Sequence, residues 1–270
     1  MAKVSVGIRK DSRATASMCP DSAIVRQNHL AHIGLVCYNF LEYIHVTGGA
    51  MTQIIAFEGI DGTGKTVQMQ QLSNFLKNKG KTVKEFSFPI YDSFFGSYVG
   101  RYLTAKDGIP ANTVDGKSMA LWFALDRWEA FRKSDDLSYD YILINRYVLS
   151  NAVYQSIRDC DLGKPDILDF VLELEFEHFG IPRPTLTLVL DMDLAEAAEN
   201  VGKKGFREYV GNERDVYESI DSIQLRARKK YQEYAERLDH VVFIPCMKDG
   251  KLDTIEHIAE KIQTAVLPLL

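Results

Sequence analysis

"QIIAFEGIDGTGKT" occupies residues 53–66, and its reading decides the fold. An apolar run of strand length, 53–58, breaks into a glycine-rich turn. The turn leads into "VQMQQLSNFLKNKG" (67–80), where Met69, Leu72, Phe75 and Leu76 recur at helical spacing and Gly80 sits where a glycine stops a helix. Gly59-Ile60-Asp61-Gly62-Thr63-Gly64-Lys65-Thr66 fits G-x-x-x-x-G-K-[ST]. Glycines at that spacing let successive backbone N–H groups turn inward around a polyphosphate, and the following helix N-terminus adds a favourable dipole. Lys65 has the reach for the β/γ-phosphates, and the Thr66 hydroxyl suits Mg²⁺. A Gly-Lys turn can also merely join a strand to a helix. Here a strand pattern precedes it and an amphipathic helix follows, which is the context a nucleoside triphosphate site requires.

Working outward, the same alternation repeats. Strand patterns recur at "TVKEFSF" (82–88), "YILI" (141–144), "TLTLVLD" (185–191) and "VVFI" (241–244), with helical material between them, including a stretch around 115–134. Alternating strands and helices predict an α/β fold, a five-stranded, mostly parallel sheet with helices on both faces. Residues 51–270 read as one such domain. Residues 1–50 differ: they carry five Lys/Arg and three acids and lack sustained periodicity until about residue 29. We expect them to form a poorly ordered or weakly helical extension. They are not Arg-rich and acid-free as a transit peptide would be, and Met51 is a candidate natural start.

Composition narrows the function classes. The chain has 270 residues, 46% hydrophobic and 26% charged, with a formal net charge of −5, so no global basic field draws it to nucleic acid or acidic membranes. The four cysteines are scattered with no C-x-x-C pair, which suggests reduced thiols in a cytoplasmic protein and no zinc site. No apolar run reaches the roughly 18 residues of a membrane span. A GTPase would carry N-K-x-D, and the nearest string, Asn78-Lys79-Gly80-Lys81, ends in lysine. A small kinase fits the length.

With "FEGIDGTGKT", "FSFPIYDSFFGSYVGRYL", "LWFALDRWEAF" and "NRYVLSNAVYQ" in this order, the chain resembles the thymidylate kinases from about Thr52 to the C-terminus. The resemblance implies a P-loop three-layer fold with a short mobile lid, here about 201–215, and phosphoryl transfer from ATP with Mg²⁺ to dTMP, giving dTDP for dTTP synthesis. It also implies a homodimer. Residue by residue, Phe123 matches the aromatic that stacks on thymine and Arg127 the arginine that bonds the base edge. Their four-residue spacing puts them on one helical face. Read without the resemblance, they would be a core Phe and a surface Arg paired with Asp126 or Glu129. Asn151 and Tyr154 match positions facing the base and deoxyribose. On their own they would be a solvated helix residue and a buried helix aromatic. Asp61 matches a carboxylate that bonds the acceptor 3′-hydroxyl, and Tyr91 and Tyr217 match residues near the acceptor.

Three departures stand out. Relatives often place an arginine after the second strand to grip the acceptor phosphate; this chain has Ile90-Tyr91-Asp92, which gives Arg146 more of that work. No arginine lies in the P-loop, so the lid segment "VGKKGFREYVGNERD" (201–215) has to supply the cation, Arg207 first and Lys204 second. The family's strand-end Asp-Arg motif reads Asn145-Arg146 here, so Asn145 stands where a carboxylate helps hold Mg²⁺ through its water. Thr66, Glu218 and Asn145 form the expected metal set, and Lys65, Arg146 and Arg207 the expected catalytic cations. Two alternatives stay open: another (deoxy)nucleoside monophosphate kinase, and a catalytically impaired nucleotide-binding homologue with a regulatory role.

Overall fold

The structure is a computed structural model that describes residues 51–132, 138–203 and 221–270. The chain divides into two units, Met1–Met51 and Thr52–Leu270. The extension expected over residues 1–50 lies outside the described residues, and the second unit is described by itself.

Five strands, β1 (Gln53–Glu58), β2 (Val83–Ser87), β3 (Tyr141–Asn145), β4 (Leu186–Asp191) and β5 (Val241–Pro245), form one sheet in the order β2-β3-β1-β4-β5. All four pairings are parallel, so the expected α/β architecture is present. β1 is central, and the chain leaves it towards β2 on one side while β4 joins it on the other. Ligands of open α/β sheets bind beyond the carboxyl ends of the strands at such a switch point. The register aligns the site's edge: Asn145 lies beside Phe57 on one neighbour and beside Ser87 on the other.

The central strands are buried on both faces, as parallel strands covered by helices must be. Ile55, Phe57, Ile142, Leu143, Ile144 and Leu188 are all fully buried. Each such side chain contributes about 1.5–3 kcal/mol relative to leaving it in water. The helices are α1 (Lys65–Asn78), α2 (Phe94–Leu103), α3 (Gly116–Arg132), α4 (Val148–Asp161), α5 (Leu168–Leu172), α6 (Leu194–Lys203), α7 (Asp221–Ala235) and α8 (Ile255–Val266). α5 runs directly into a π-helical turn, Glu173–His178. α1 packs on α8, while α3 packs between α2 and α4, and α4 also meets α7. A short hairpin, Met247–Lys248 with Lys251–Leu252, follows β5.

Helix ends follow local chemistry. Gly80, at φ 76°, ends α1 as read from the sequence, with Lys81 N–H donating to the Leu76 carbonyl at 3.1 Å. Ser93 caps α2 by accepting from Gly96 N–H at 2.9 Å, and Thr254 caps α8 by accepting from His257 N–H at 3.2 Å. α1 has no such side-chain cap; it begins at Gly64 in the left-handed region. Among the described residues no helix is long and apolar enough to cross a membrane.

Candidate active site

The P-loop follows β1 directly and turns on left-handed glycines. Gly59 (φ 127°) and Gly62 (φ 84°) carry a second constraint. A Cβ on Gly59 would lie 2.6 Å from the Leu190 carbonyl oxygen, and one on Gly62 would lie 2.0 Å from that of Ala197. The loop thus wedges against the end of β4 and against α6, which only glycine permits. The Thr63 hydroxyl donates to the Ile60 carbonyl at 3.0 Å and closes the loop from inside. Lys65, largely buried, donates to the carbonyls of Ile60 at 2.7 Å and Gly59 at 3.0 Å. Its ammonium is therefore already held at the loop rim.

A cavity of about 230 Å³ extends from this loop. Asp61, Gly62, Gly64, Lys65 and Thr66 line one end, and Phe123, Arg127, Asn151, Tyr154 and Gln155 line the other, with Tyr91, Asn145 and Arg146 also in its wall. Of the residues singled out in the sequence, Gly59 and Thr63 shape the loop from behind and do not line the cavity. Arg207, Tyr217 and Glu218, and the lid beyond Lys203, lie outside the described residues.

Arg146 sits at the strand end with φ 62°, a left-handed conformation that a side chain of this size rarely adopts. Its N–H donates to the Phe57 carbonyl at 3.0 Å, which fixes it to β1. Its Nη2 donates to the Asp61 carboxylate, and its guanidinium lies 5.7 Å from the Tyr154 ring centre. Burial opposes the charge, but Asp61 outweighs it and the pKa is raised well above the ordinary arginine value. Tyr154 is pushed up by burial and by the same carboxylate, so it stays a neutral phenol. Gln224 on α7 completes this cluster: its Oε1 accepts from Asp61 N–H at 3.3 Å and from the Tyr154 hydroxyl at 3.1 Å, and its Nε2 donates to Asp61 Oδ2 at 3.3 Å.

Asn145 donates its Nδ2 to Ser87 Oγ at 2.9 Å and lies 3.5 Å from Thr66 Oγ1. Its Oδ1 is buried with no partner among the described residues. The Asn145 amide nitrogen, not this oxygen, faces Thr66; a neutral orphaned oxygen on a cavity-lining residue near the Thr66 side chain suits a Mg²⁺ ion that keeps its waters and takes few protein oxygens. No cluster of three or more His, Cys, Asp or Glu side chains suited to a metal occurs among the described residues.

The alternative reading of Arg127, a surface pair with Asp126 or Glu129, does not hold. Arg127 is 2% exposed and donates through Nε and Nη2 to both oxygens of Glu175, each at 2.5 Å, with Glu175 itself fully buried. Burial opposes the charge, yet Glu175 outweighs it and raises the pKa. Asp126 and Glu129 have other tasks. Asp126 accepts from Ile90 N–H at 2.9 Å and Ser93 Oγ at 2.8 Å, and Glu129 accepts from Phe95 N–H at 3.1 Å. They brace the loop that carries Tyr91, whose ring packs over Gly100 of α2, where a Cβ would lie 2.9 Å from it. Asn151 is likewise buried, not solvated; its Nδ2 donates to the Ala120 carbonyl at 3.0 Å and to Glu175 Oε1 at 2.8 Å. Arg101, the next arginine after β2, pairs with Asp107 on the surface and does not line the cavity.

Three site-supporting residues escaped sequence reasoning: Glu175, Gln224 and Glu58. Glu58 ends β1 fully buried and accepts from the N–H groups of Tyr147 at 2.9 Å and Ser150 at 3.0 Å, from the Ser150 hydroxyl, and from Tyr231 Oη at 3.1 Å. It caps the N-terminus of α4, the helix that carries Asn151 and Tyr154, where a carboxylate also suits the helix dipole. A charged residue closing an otherwise apolar strand was the available signal for Glu58. Glu175 and Gln224 gave none.

The thymidylate kinase family model matches residues 57–262. The thymidylate kinase of Mycobacterium tuberculosis (strain CDC 1551 / Oshkosh) is 32% identical over 185 residues, covering 67% of this chain and 85% of that protein. A probable thymidylate kinase of Pyrococcus horikoshii is 28% identical over 215 residues, covering 78% and 94%. Among solved structures, a thymidylate kinase from Candida albicans superposes with a TM-score of 0.61 at 22% identity, covering 82% of this chain and 93% of that one, a likeness of fold.

Proposed function

Because the chain belongs to the thymidylate kinase family, we propose that its site transfers the γ-phosphoryl group of ATP to a phosphate oxygen of dTMP, giving dTDP and ADP. One observation supports this reading: a single cavity is lined both by the P-loop residues and by Phe123, Arg127 and Asn151, with Arg146 also in its wall. The acceptor phosphate is already ionised, so the reaction calls for positioning and charge neutralisation with no strong general base.

In this reading the N–H groups at the start of α1 and the Lys65 ammonium hold the donor phosphates. Arg146 spans donor and acceptor, leaving Asp61 to take the acceptor's 3′-hydroxyl. Phe123 stacks on the base, and Tyr154 crowds the sugar 2′ position against ribonucleotides. Mg²⁺ bound with ATP would neutralise the β- and γ-phosphate oxygens, with Thr66, Asn145 and Glu218 as its protein partners. Among the described residues the cations lining the cavity are Lys65, Arg127 and Arg146, and Arg127 is engaged by Glu175. A further cation from the lid, Arg207 first, is therefore part of the proposal. So is a homodimer: Phe94 on α2 and Leu121 on α3 stand exposed near the stacked Tyr98 and Trp122 rings, apolar surface that an interface would cover.

The test is a coupled assay of purified protein with ATP and Mg²⁺ against dTMP, dUMP, dCMP and UMP. Preferred turnover of dTMP supports the reading. Preference for another acceptor reassigns the substrate, and tight binding of ATP and dTMP without dTDP formation replaces catalysis with a regulatory role.

A further inference from the structure

Three features meet at the base end of the cavity that the reaction itself does not use. Glu175 is fully buried, does not line the cavity, and engages two residues that do, Arg127 and Asn151. Asn151 is held so that its Nδ2 faces two acceptors, the Glu175 carboxylate and the Ala120 carbonyl. A carboxylate and a carbonyl accept only, so the amide cannot turn over without setting oxygen against oxygen. The Asn151 Oδ1 therefore points away from them, buried and with no partner among the described residues. Buried acceptors without a partner are uncommon, and one on a cavity-lining residue is what a ligand donor would satisfy. Glu175 also takes the Nε and Nη2 positions of Arg127, leaving Nη1 as the donor for a ligand.

We propose that Glu175 is a positioning residue that fixes the polarity of the base-reading pair, locking Asn151 as an acceptor and Arg127 as a donor, and so selects 4-oxo pyrimidines over 4-amino pyrimidines. Thymine offers N3–H to an acceptor and O4 to a donor. Cytosine reverses both, with a bare N3 and an exocyclic amino group. Against the locked pair, cytosine places lone pair against lone pair and donor against donor. A site whose buried polar groups are left unpaired by the wrong ligand discriminates more strongly than a shape-only pocket does. The carboxylate is essential to the lock: a carboxamide in its place carries an NH₂ that can serve the Asn151 Oδ1 and stabilise the reversed amide.

This inference rests on the reading of the cavity as a dTMP site. The experiment is steady-state kinetics of the wild type and Glu175→Gln with dTMP and with dCMP, alongside the KM for ATP and a thermal melt. The wild type turning over dTMP tests the underlying reading independently. In Glu175→Gln the dTMP-to-dCMP ratio of kcat/KM is expected to fall at least ~10-fold, carried by a raised KM for dTMP and a gain for dCMP. The KM for ATP is expected to stay within about twofold. Glu175→Asp, which keeps an acceptor-only carboxylate, is expected to hold the ratio within about threefold of the wild type. Where Glu175→Gln does not fold, a fall of ~10-fold in Glu175→Asp overturns the polarity argument. A folded variant that loses turnover of both acceptors equally, with the ratio unchanged, overturns the proposal.

Discussion

Arg146 at the end of β3 and Asp61 in the P-loop form a charge pair across the mouth of the phosphate cradle, with the arginine in a left-handed backbone conformation. Without a ligand each charge answers the other. Arriving phosphates would offer Arg146 a stronger partner and leave Asp61 to the sugar hydroxyl. Arg146→Ala is expected to lower kcat at saturating substrates by at least ~100-fold, as loss of a charge that stabilises the transferring group does. Steady-state assay of the purified variant checks it, and an unchanged kcat would remove Arg146 from the chemistry.

The two ends of the cavity predict different kinetic signatures. Lys65→Ala removes a donor-phosphate cation and is expected to reduce turnover severely, by ~100-fold or more. Arg127→Ala is expected mainly to raise the dTMP KM. It also leaves Glu175 charged and buried without its partner, a cost of about 3–5 kcal/mol, so its thermal midpoint should fall as well. If Arg127→Ala left dTMP kinetics untouched, the acceptor end would be misassigned.

Asn145 stands next to Thr66 with an orphaned oxygen and no charge. Asn145→Asp adds one negative charge there and is expected to lower the Mg²⁺ concentration for half-maximal effect by about 10-fold, the scale of outer-shell changes at metal sites. Calorimetric titration of Mg²⁺ with ADP, beside the activity titration, reads it. Coincident curves for the two proteins would end the idea.

Asp166 ties α7 to the segment before α5. It meets Lys230 Nζ at 2.8 Å and accepts from Tyr234 Oη at 2.7 Å and Leu168 N–H at 2.8 Å. Burial works against its charge, but these partners outweigh it and its pKa is lowered. Its contribution is therefore present above the unfolded-state value of 3.8 and is lost as pH falls through the lower folded value. Asp166→Asn should cost about 1 kcal/mol at pH 7, a modest figure because the site is partly exposed. The difference from wild type should shrink towards pH 3 in denaturant melts.

The described thiols should part company under alkylation. Cys160 is exposed, whereas Cys246 is buried and its thiol is pushed up to about 12, chiefly by burial and then by Asp191. Mass spectrometry after iodoacetamide at pH 8 should find Cys160 modified and Cys246 untouched until the protein unfolds, because the thiolate is the reactive form.

The residues 53–66 and the strand patterns after them determined the parallel α/β fold, the phosphate loop and the position of Arg146, because glycine spacing and apolar periodicity are local properties that a chain displays in order. The tertiary structure alone decided who holds the site. Arg127, readable as a surface residue beside Asp126 and Glu129, is buried against Glu175, 48 positions away. Glu58 reaches Ser150 across 92 positions, and Gln224 reaches Asp61 across 163. A carboxylate among apolar residues shows in sequence that something must neutralise it. Which cation or N–H does so depends on which helix the fold lays across the strand end, and that is settled only when distant segments pack together.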